Sequence, residues 1–133
     1  MNIPLYRAKR IDFDEYVEGY YLPKYMQVYD ESGVITRFEF MENVIQKGGT
    51  YFRIDPSTLS ISFPAMIDSE GTRIFASLRE DGKGGDICNL RKSLMHSFVD
   101  EGTACYFDGC FVVRPNQGFV GNYVNLEVIG IQE

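Results

Sequence analysis

Turn-forming residues divide this chain into short β-prone runs, and this division limits its fold more than any other feature. Thirteen glycines are scattered along the 133 residues, at a spacing typical of short strands joined by tight turns. The clearest example is Asp108-Gly109, which lies between two β-prone runs. Asp-Gly in this setting is the usual two-residue type I′ hairpin turn. We therefore predict a hairpin over residues 105–113 in which Cys105 pairs with Val112.

The same reasoning predicts strands along most of the chain, with acidic or glycine-containing turns between them. The predicted strands are residues 6–11, 16–21, 25–29, 34–40, 50–54, 63–67, 72–75 and 123–131. In the run 34–40, apolar and polar residues alternate, as expected for a strand with one buried face. This alternation predicts that Thr36, Phe38 and Phe40 face the interior.

Two short helical segments and one long loop complete the predicted elements. Asp55–Thr58 begins a turn or a single helical turn, with Pro56 at a favourable first position. A second helix would begin after Asn89 and stop at Gly102. Its apolar face would consist of Leu90, Leu94, Met95 and Phe98. Residues 76–85 are polar and rich in glycine, which predicts a mobile surface loop.

Length and composition indicate one domain with a substantial core. A chain of 133 residues fits a single domain over 1–133, or two small interleaved halves at about 1–50 and 51–133. Hydrophobic residues make up 44% of the chain and aromatic residues 14%, which suffices for a folded core. We predict an all-β fold, mainly β with one or two short helices.

The net charge indicates which partners the chain can bind, and its first residues indicate whether it is secreted. The net charge of −6 argues against nonspecific nucleic-acid binding, which usually depends on a basic surface. The opening Met-Asn-Ile-Pro lacks the charged and apolar regions of a signal peptide. No apolar run approaches the roughly 18 residues of a membrane-spanning helix. We expect a cytoplasmic protein without membrane contact and with reduced thiols.

Three cysteines and one histidine are the candidate metal ligands and nucleophiles. They are Cys88, His96, Cys105 and Cys110. Their spacing lacks the tight ligand pairs of a structural zinc site. In the predicted hairpin the thiols at 105 and 110 lie diagonally, at roughly 7–8 Å, which is long for a disulfide. Small apolar packing residues are the simplest interpretation, with zinc and a redox pair as alternatives.

Catalysis has little support in the sequence. His96 is the one histidine, and Cys88, Asp86 and Asp100 lie near it along the chain. No nucleophile-elbow or cysteine-protease signature surrounds these residues. The glycine segments 47–50 and 82–85 do not fit the phosphate-loop pattern. We therefore predict a protein that is not an enzyme and binds no cofactor or metal.

The N-terminal hairpin carries the best candidate binding surface. Its strands combine basic and tyrosine side chains that could stack on bases or pair with an acidic partner. Four acidic residues, Asp12, Asp14, Glu15 and Glu18, lie close enough to neutralise much of this charge, so cross-strand ion pairing is the alternative. With one lysine of the 76–85 loop, the candidate surface consists of Arg7, Lys9, Arg10, Tyr16, Tyr20 and Lys83.

Five short segments, in order, resemble the YopX family of small phage and prophage proteins. The first is the hairpin itself, where Arg7-Ala8-Lys9-Arg10 and then Val17-Glu18-Gly19-Tyr20 are similar to the family's FRAKR and EWVEGY runs. The others are residues 54–59, 68–75, 85–87 and 126–131. Two departures lie in one region, where Ala65 replaces a family glycine and residues 76–84 form an insertion.

The resemblance implies an all-β fold with complex antiparallel topology and a partly open SH3-like barrel. It also implies a phage or prophage origin and hence the cytosol of a host cell, but no established activity. We expect a non-enzymatic accessory protein that binds a host or phage protein. A nucleic-acid-binding β-barrel that uses the N-terminal hairpin is the alternative. Pairing of exposed strands into a homo-oligomer is a further expectation.

Overall fold

The computed structural model describes residues 3–91, 100–115 and 125–133, which form ten strands and one short 3-10 turn. The strands are β1 (Leu5–Lys9), β2 (Tyr16–Tyr29), β3 (Ile35–Lys47), β4 (Thr50–Arg53), β5 (Ser60–Ser62), β6 (Ala76–Ser77), β7 (Asp86–Arg91), β8 (Asp100–Phe107), β9 (Cys110–Pro115) and β10 (Asn125–Ile131). The 3-10 turn, Pro56–Thr58, follows β4. The predicted all-β class is confirmed.

The strands form one open sheet with a non-sequential order. Along it the strands follow the path β10-β7-β8-β6-β5-β1-β2-β3-β4, and β9 pairs with β8 off this path. The pairs are antiparallel except for β6 and β8, which are parallel. This order agrees with the predicted complex topology, whereas the SH3-like barrel stays a prediction.

Local turn chemistry explains the hairpins that the sequence predicts. At the C-terminal hairpin, Cys105 pairs with Val112. Asp108 and Gly109 have φ values of 53° and 74°, the left-handed conformation that a type I′ turn requires at both central positions. The side chain of Asp55 caps the 3-10 turn by accepting a hydrogen bond from the Ser57 amide. Both predictions are confirmed.

The structure corrects two predicted elements. Asn89 and Gly102, the proposed boundaries of a second helix, are strand residues in β7 and β8. Leu90 is also in β7, while Leu94, Met95 and Phe98 lie outside the described residues. Of the strands predicted at residues 63–67 and 72–75, only a single bridge between Ile67 and Arg73 forms.

Buried side chains form two clusters rather than one core. The first combines the N-terminal hairpin with β3 and the segment after β4, and consists of Ala8, Val17, Ile45, Ile54 and Leu59. The second lies in the C-terminal half, and consists of Met66, Ile74, Ala76, Cys88, Leu90 and Ala104. The sheet continues between the strands of the two clusters through the pairing of β1 with β5.

A buried ion pair joins the strands that carry these two clusters. Arg7 precedes Ala8 on β1, and Asp86 precedes Cys88 on β7 by two residues. Arg7 Nη2 lies 2.7 Å from Asp86 Oδ1, and the two side chains are 9% and 2% exposed. The Arg7 guanidinium also lies 4.6 Å from the ring centroid of Phe75, whose amide donates to Asp86 Oδ2 at 2.8 Å.

The predicted surface loop at residues 76–85 is only partly at the surface: Ala76–Ser77 form β6, residues 78–81 are exposed, and the glycine-rich end packs against this ion pair. Gly82, Gly84 and Gly85 are buried. Arg7 Nη2 donates a 2.9 Å hydrogen bond to the Gly84 carbonyl, and the Gly84 amide donates to the Gln132 carbonyl at 2.7 Å. A Cβ on Gly84 would lie 2.0 Å from the carbonyl oxygen of Thr58. Glycine here permits a close approach of two backbones.

Removal of the Arg7 charge should strongly destabilise the fold. Arg7→Met leaves the buried Asp86 carboxylate without its cation, and we expect the free energy of unfolding to fall by about 3–5 kcal/mol. Urea denaturation measures this loss. Arg37→Met is the matched control, because Arg37 forms an exposed ion pair with Glu39 and its removal should change stability by less than about 1 kcal/mol. Equal losses in both variants would contradict this role.

The same variant has a characteristic pH dependence. Burial raises the pKa of Asp86 above its ordinary value even beside Arg7, and loss of Arg7 raises it further. A group whose pKa is raised on folding stabilises the folded state at low pH and loses that contribution as pH rises. The deficit of Arg7→Met should therefore shrink between about pH 7 and pH 5. A deficit that grows on acidification would contradict this account.

A pair of glycine substitutions tests the packing of the loop. Gly84 and Gly33 have similar φ values of 86° and 84°, so alanine meets the same backbone strain, about 1–2 kcal/mol. A Cβ has nothing within 4 Å at Gly33 but meets the Thr58 backbone at Gly84. Gly84→Ala should therefore lower the free energy of unfolding well beyond Gly33→Ala in urea titrations. Similar losses would show that the loop is not tightly packed.

A candidate interaction surface on the long hairpin

Strands β2 and β3 extend beyond their neighbours in the sheet. β1 pairs only with the first four residues of β2, Tyr16–Gly19, and β4 pairs only with the last four of β3, Val44–Lys47. Between these ends, β2 and β3 pair with each other and have no other strand partner among the described residues. We call this two-stranded projection, residues 20–43, the arm.

One face of the arm is aromatic and uncharged. Across the two strands, Tyr25 pairs with Phe40, Gln27 with Phe38, and Tyr29 with Ile35. Directly opposite residues share a face, as do residues two apart on one strand. The rings of Tyr25 and Phe40 meet edge to face with centroids 5.9 Å apart. We call this set the aromatic face: Tyr25, Gln27, Tyr29, Ile35, Phe38 and Phe40.

The opposite face of the arm carries paired charges. Arg37 Nη2 lies 2.6 Å from Glu39 Oε1. Near the base, Glu42 lies 4.0 Å from Lys24 Nζ and 2.9 Å from Arg53 Nε. These pairs neutralise much of the charge on that side. The arm therefore has one face with paired charges, where Met26 is also exposed, and one face that is uncharged, largely apolar and exposed.

The arm deviates twice from regular pairing. The register shifts between Lys24 and Tyr25 and again between Val28 and Tyr29, which leaves Met41 and Thr36 as extra residues on β3. Such β-bulges bend the strand and increase its local twist. One bulge interrupts the hydrogen-bonding ladder at the base of the aromatic face, and the other interrupts it just before the Tyr29–Ile35 pair at the tip.

The aromatic face is a large exposed surface on a hairpin that has little other support. Tyr25, Tyr29, Phe38 and Phe40 are 58%, 54%, 62% and 53% exposed, so we infer roughly 500 Å² of apolar surface with Ile35 included. A patch of this size is comparable to the largest apolar patch on a typical monomer, about 300–600 Å², and such patches are often functional. A two-stranded hairpin alone is also marginally stable in water. The arm therefore has the features of a contact surface.

This exposure corrects the prediction for residues 34–40. Thr36, Phe38 and Phe40 are exposed and do not face the interior, because no second layer covers the arm in the described part of the chain. The alternation predicts a strand with two different faces, but it does not predict whether another layer packs on the apolar face. Residues 25–29 carry apolar side chains at both alternating sets of positions, so no strand pattern in the sequence marks this hairpin as uncovered.

The predicted surface on the N-terminal hairpin is mostly neutralised or buried. Arg7 is inside the molecule, as described above. Lys9 Nζ lies 2.7 Å from Asp14 Oδ1. Arg10 Nη2 lies 2.8 Å from Asp12 Oδ2, and its Nη1 lies 3.8 Å from a Glu15 carboxylate oxygen. These hydrogen-bonded ion pairs hold the pKa of both Asp12 and Asp14 below the usual value.

The remaining predicted surface residues have separate surroundings. Arg10 lies between two rings, with centroid distances of 4.5 Å to Phe13 and 4.7 Å to Phe52. Tyr16 is half-buried and Tyr20 is exposed at the base of the arm. Lys83 belongs to the packed glycine-rich loop, where its carbonyl accepts a hydrogen bond from Ser77 Oγ. Because Arg7 is buried, the six residues do not form one exposed surface.

The cysteines occupy three different environments. Cys88 and Cys105 are buried, whereas Cys110 is exposed. Burial raises the pKa of Cys88 to about 12 and also raises that of Cys105, so neither thiol is an activated nucleophile at neutral pH. No cluster of three metal-binding side chains occurs in the described residues. His96 lies outside the described residues.

Comparisons with known proteins leave the chain without an assigned family. No family model, curated protein or solved structure matches it. The resemblance to the YopX family therefore stays a prediction. Within the described residues, no helix is long and apolar enough to cross a membrane.

Thiol reactivity should separate the three cysteines. In the native protein, a thiol-specific disulfide reagent should modify Cys110 rapidly, while Cys88 and Cys105 stay protected by burial. Cys110→Ser should remove the rapid phase observed by absorbance, and unfolding in urea should restore reactivity at the other two thiols. A rapid phase that persists in Cys110→Ser, mapped to Cys88 by mass spectrometry, would contradict the environment described above.

Proposed function

We propose that this protein is a non-enzymatic binding module that contacts a protein partner through the aromatic face of the arm. One observation carries the proposal. Four aromatic side chains, each more than half exposed, lie together on one face of a hairpin that projects beyond the sheet. Burial of that face against a partner would remove apolar surface from water and would stabilise an arm that lacks other support.

The chemistry of the face favours a protein as the partner. Tyr and Phe are enriched in the cores of protein interfaces, where charged residues are depleted. The aromatic face has this composition, because its six residues include no charged side chain. Surfaces that bind single-stranded nucleic acids combine stacking rings with a basic groove. Arg7, Lys9 and Arg10 all pair with carboxylates. The basic residues of the N-terminal hairpin therefore do not supply such a groove, and a protein is the favoured partner.

The biological setting of the proposal depends on the sequence resemblance. The YopX-like segments suggest a phage or prophage accessory protein that acts in the cytoplasm of a host cell. The partner would then be a host or phage protein. The aromatic face favours a partner with a complementary apolar surface. Such a partner needs no acidic or basic patch.

Site-specific photocrosslinking in bacterial cells tests whether the aromatic face is a contact surface. A benzophenone amino acid is introduced at position 38 on the aromatic face, or at position 26 on the opposite face, where Met26 is also exposed. We expect irradiation to give a discrete covalent adduct from position 38 and little from position 26, because only the aromatic face is covered by a partner. Gel mobility and mass spectrometry of the adduct provide the measurement.

Met26 is a matched control, since both side chains are apolar, exposed and in the same arm. Circular dichroism and thermal unfolding verify that both substituted proteins are folded. Equal labelling from the two positions would indicate nonspecific collisions. The absence of any adduct from position 38 in folded, abundant protein would overturn the proposed function.

A further inference from the structure

We infer that the partner on the aromatic face is a second copy of this chain, with the two arms packed face to face and antiparallel. The inference rests on the proposed function, because it names the occupant of the same surface. Three properties of the described residues support it: the charge distribution, the spacing of the aromatic residues along the arm, and the area of the face.

The net negative charge of each copy favours antiparallel packing of the arms, because this arrangement keeps the two sheets far apart. Each chain has a net charge of −6, so two copies repel each other unless their contact excludes these charges. The aromatic face contains no charged residue. Gln27, at the centre of the aromatic face, lies seven β2 residues from the base of the arm at Tyr20, which is about 23 Å. Antiparallel packing about this centre would place the two sheets about 46 Å apart. That separation is several times the Debye length of about 8 Å in physiological salt.

The aromatic residues are spaced symmetrically about the middle of the aromatic face. On β2, Tyr25 and Tyr29 lie two residues to either side of Gln27. On β3, Gln27 pairs with Phe38, and the apolar residues Phe40 and Ile35 lie on either side of it. A two-fold axis at the Gln27–Phe38 pair would place Tyr25 of one copy against Tyr29 of the other. The face is therefore self-complementary, as an isologous contact requires.

The area of the face reaches the lower limit for a specific dimer. Each copy would contribute roughly 500 Å² from its exposed apolar side chains. Two copies together would bury about 1,000 Å² before the backbone and flanking residues are included, which reaches the lower limit for a biological interface. The resulting interface would lie at the small end of this class.

Analytical ultracentrifugation of the purified full chain tests the inference. We expect the wild-type chain to sediment as a dimer at a concentration of about 100 µM. This concentration exceeds the micromolar dissociation constants of the weaker specific interfaces. Phe38→Lys should weaken dimerisation by about 30-fold or more, since it places a charge at the centre of the contact. Lysine also lowers the net negative charge, so loss of the dimer could not reflect added repulsion between acidic chains.

Two further variants complete this experiment. Met26→Lys adds the same charge to the opposite face and should leave the dimer intact. Tyr29→Lys should weaken the dimer as Phe38→Lys does, and thermal unfolding verifies that each variant is folded. A wild-type monomer at this concentration, or equal effects of Met26→Lys and Phe38→Lys, would overturn the inference.

A mixing experiment tests the antiparallel arrangement. Position 38 faces position 38 across the two-fold axis, so Phe38→Lys and Phe38→Glu should form a heterodimer when mixed at a concentration at which each variant alone is monomeric. Native mass spectrometry measures the mixed species. The absence of any heterodimer would overturn the register in which the two Phe38 positions meet.

The photocrosslinking experiment separates failure of this inference from failure of the proposed function. An adduct from position 38 that contains only this chain supports the second copy. An adduct with a different polypeptide, together with a wild-type monomer in ultracentrifugation, overturns the second copy and leaves the proposed function standing. No adduct and no dimer would overturn both.

Discussion

The contact between Arg7 and Asp86 is the interaction on which the rest of the fold depends. It joins β1 to β7, strands that belong to different hydrophobic clusters, and it also anchors the glycine-rich loop through the Gly84 carbonyl. Burial of two charges has a desolvation cost that their mutual attraction only partly offsets. Arg7 Nε has no hydrogen-bond partner among the described residues, which adds to that cost. We infer that the pair selects the arrangement of the two clusters more than it adds stability.

The molecule therefore uses its charges in two ways. In the sheet and the N-terminal hairpin, basic side chains pair with carboxylates, either in the interior or at turns such as Asp12 and Asp14. On the arm, the same kind of pairing is confined to one face, which leaves the other face uncharged. The candidate surface arises from this separation, because an apolar face stays available for a partner only where no charged side chain reaches it.

Local features of the fold could be predicted from the sequence, because they depend on a few adjacent residues. The Asp108-Gly109 turn fixes its own hairpin, and Asp55 caps the turn that contains Pro56. Contacts between distant residues could not be predicted in this way. The sequence indicates acidic partners for Arg7 in its own hairpin, but no local pattern identifies Asp86 as its partner. The glycines at 82, 84 and 85 suggest flexibility, whereas in the structure they allow close contact between backbones. The exposure of Phe38 depends on the absence of a covering layer, which no strand pattern encodes.

The two bulges in the arm have a consequence for how far assembly can proceed. A long flat hairpin with unpaired edges can add further strands without limit, which leads to fibres. Extra residues at Thr36 and Met41 twist the edge of β3 and interrupt its ladder, so a neighbouring strand cannot continue in register. Growth along the edge is thereby disfavoured, and association through the face would end once two molecules have met. The arm would combine high exposure with a built-in limit on polymer growth.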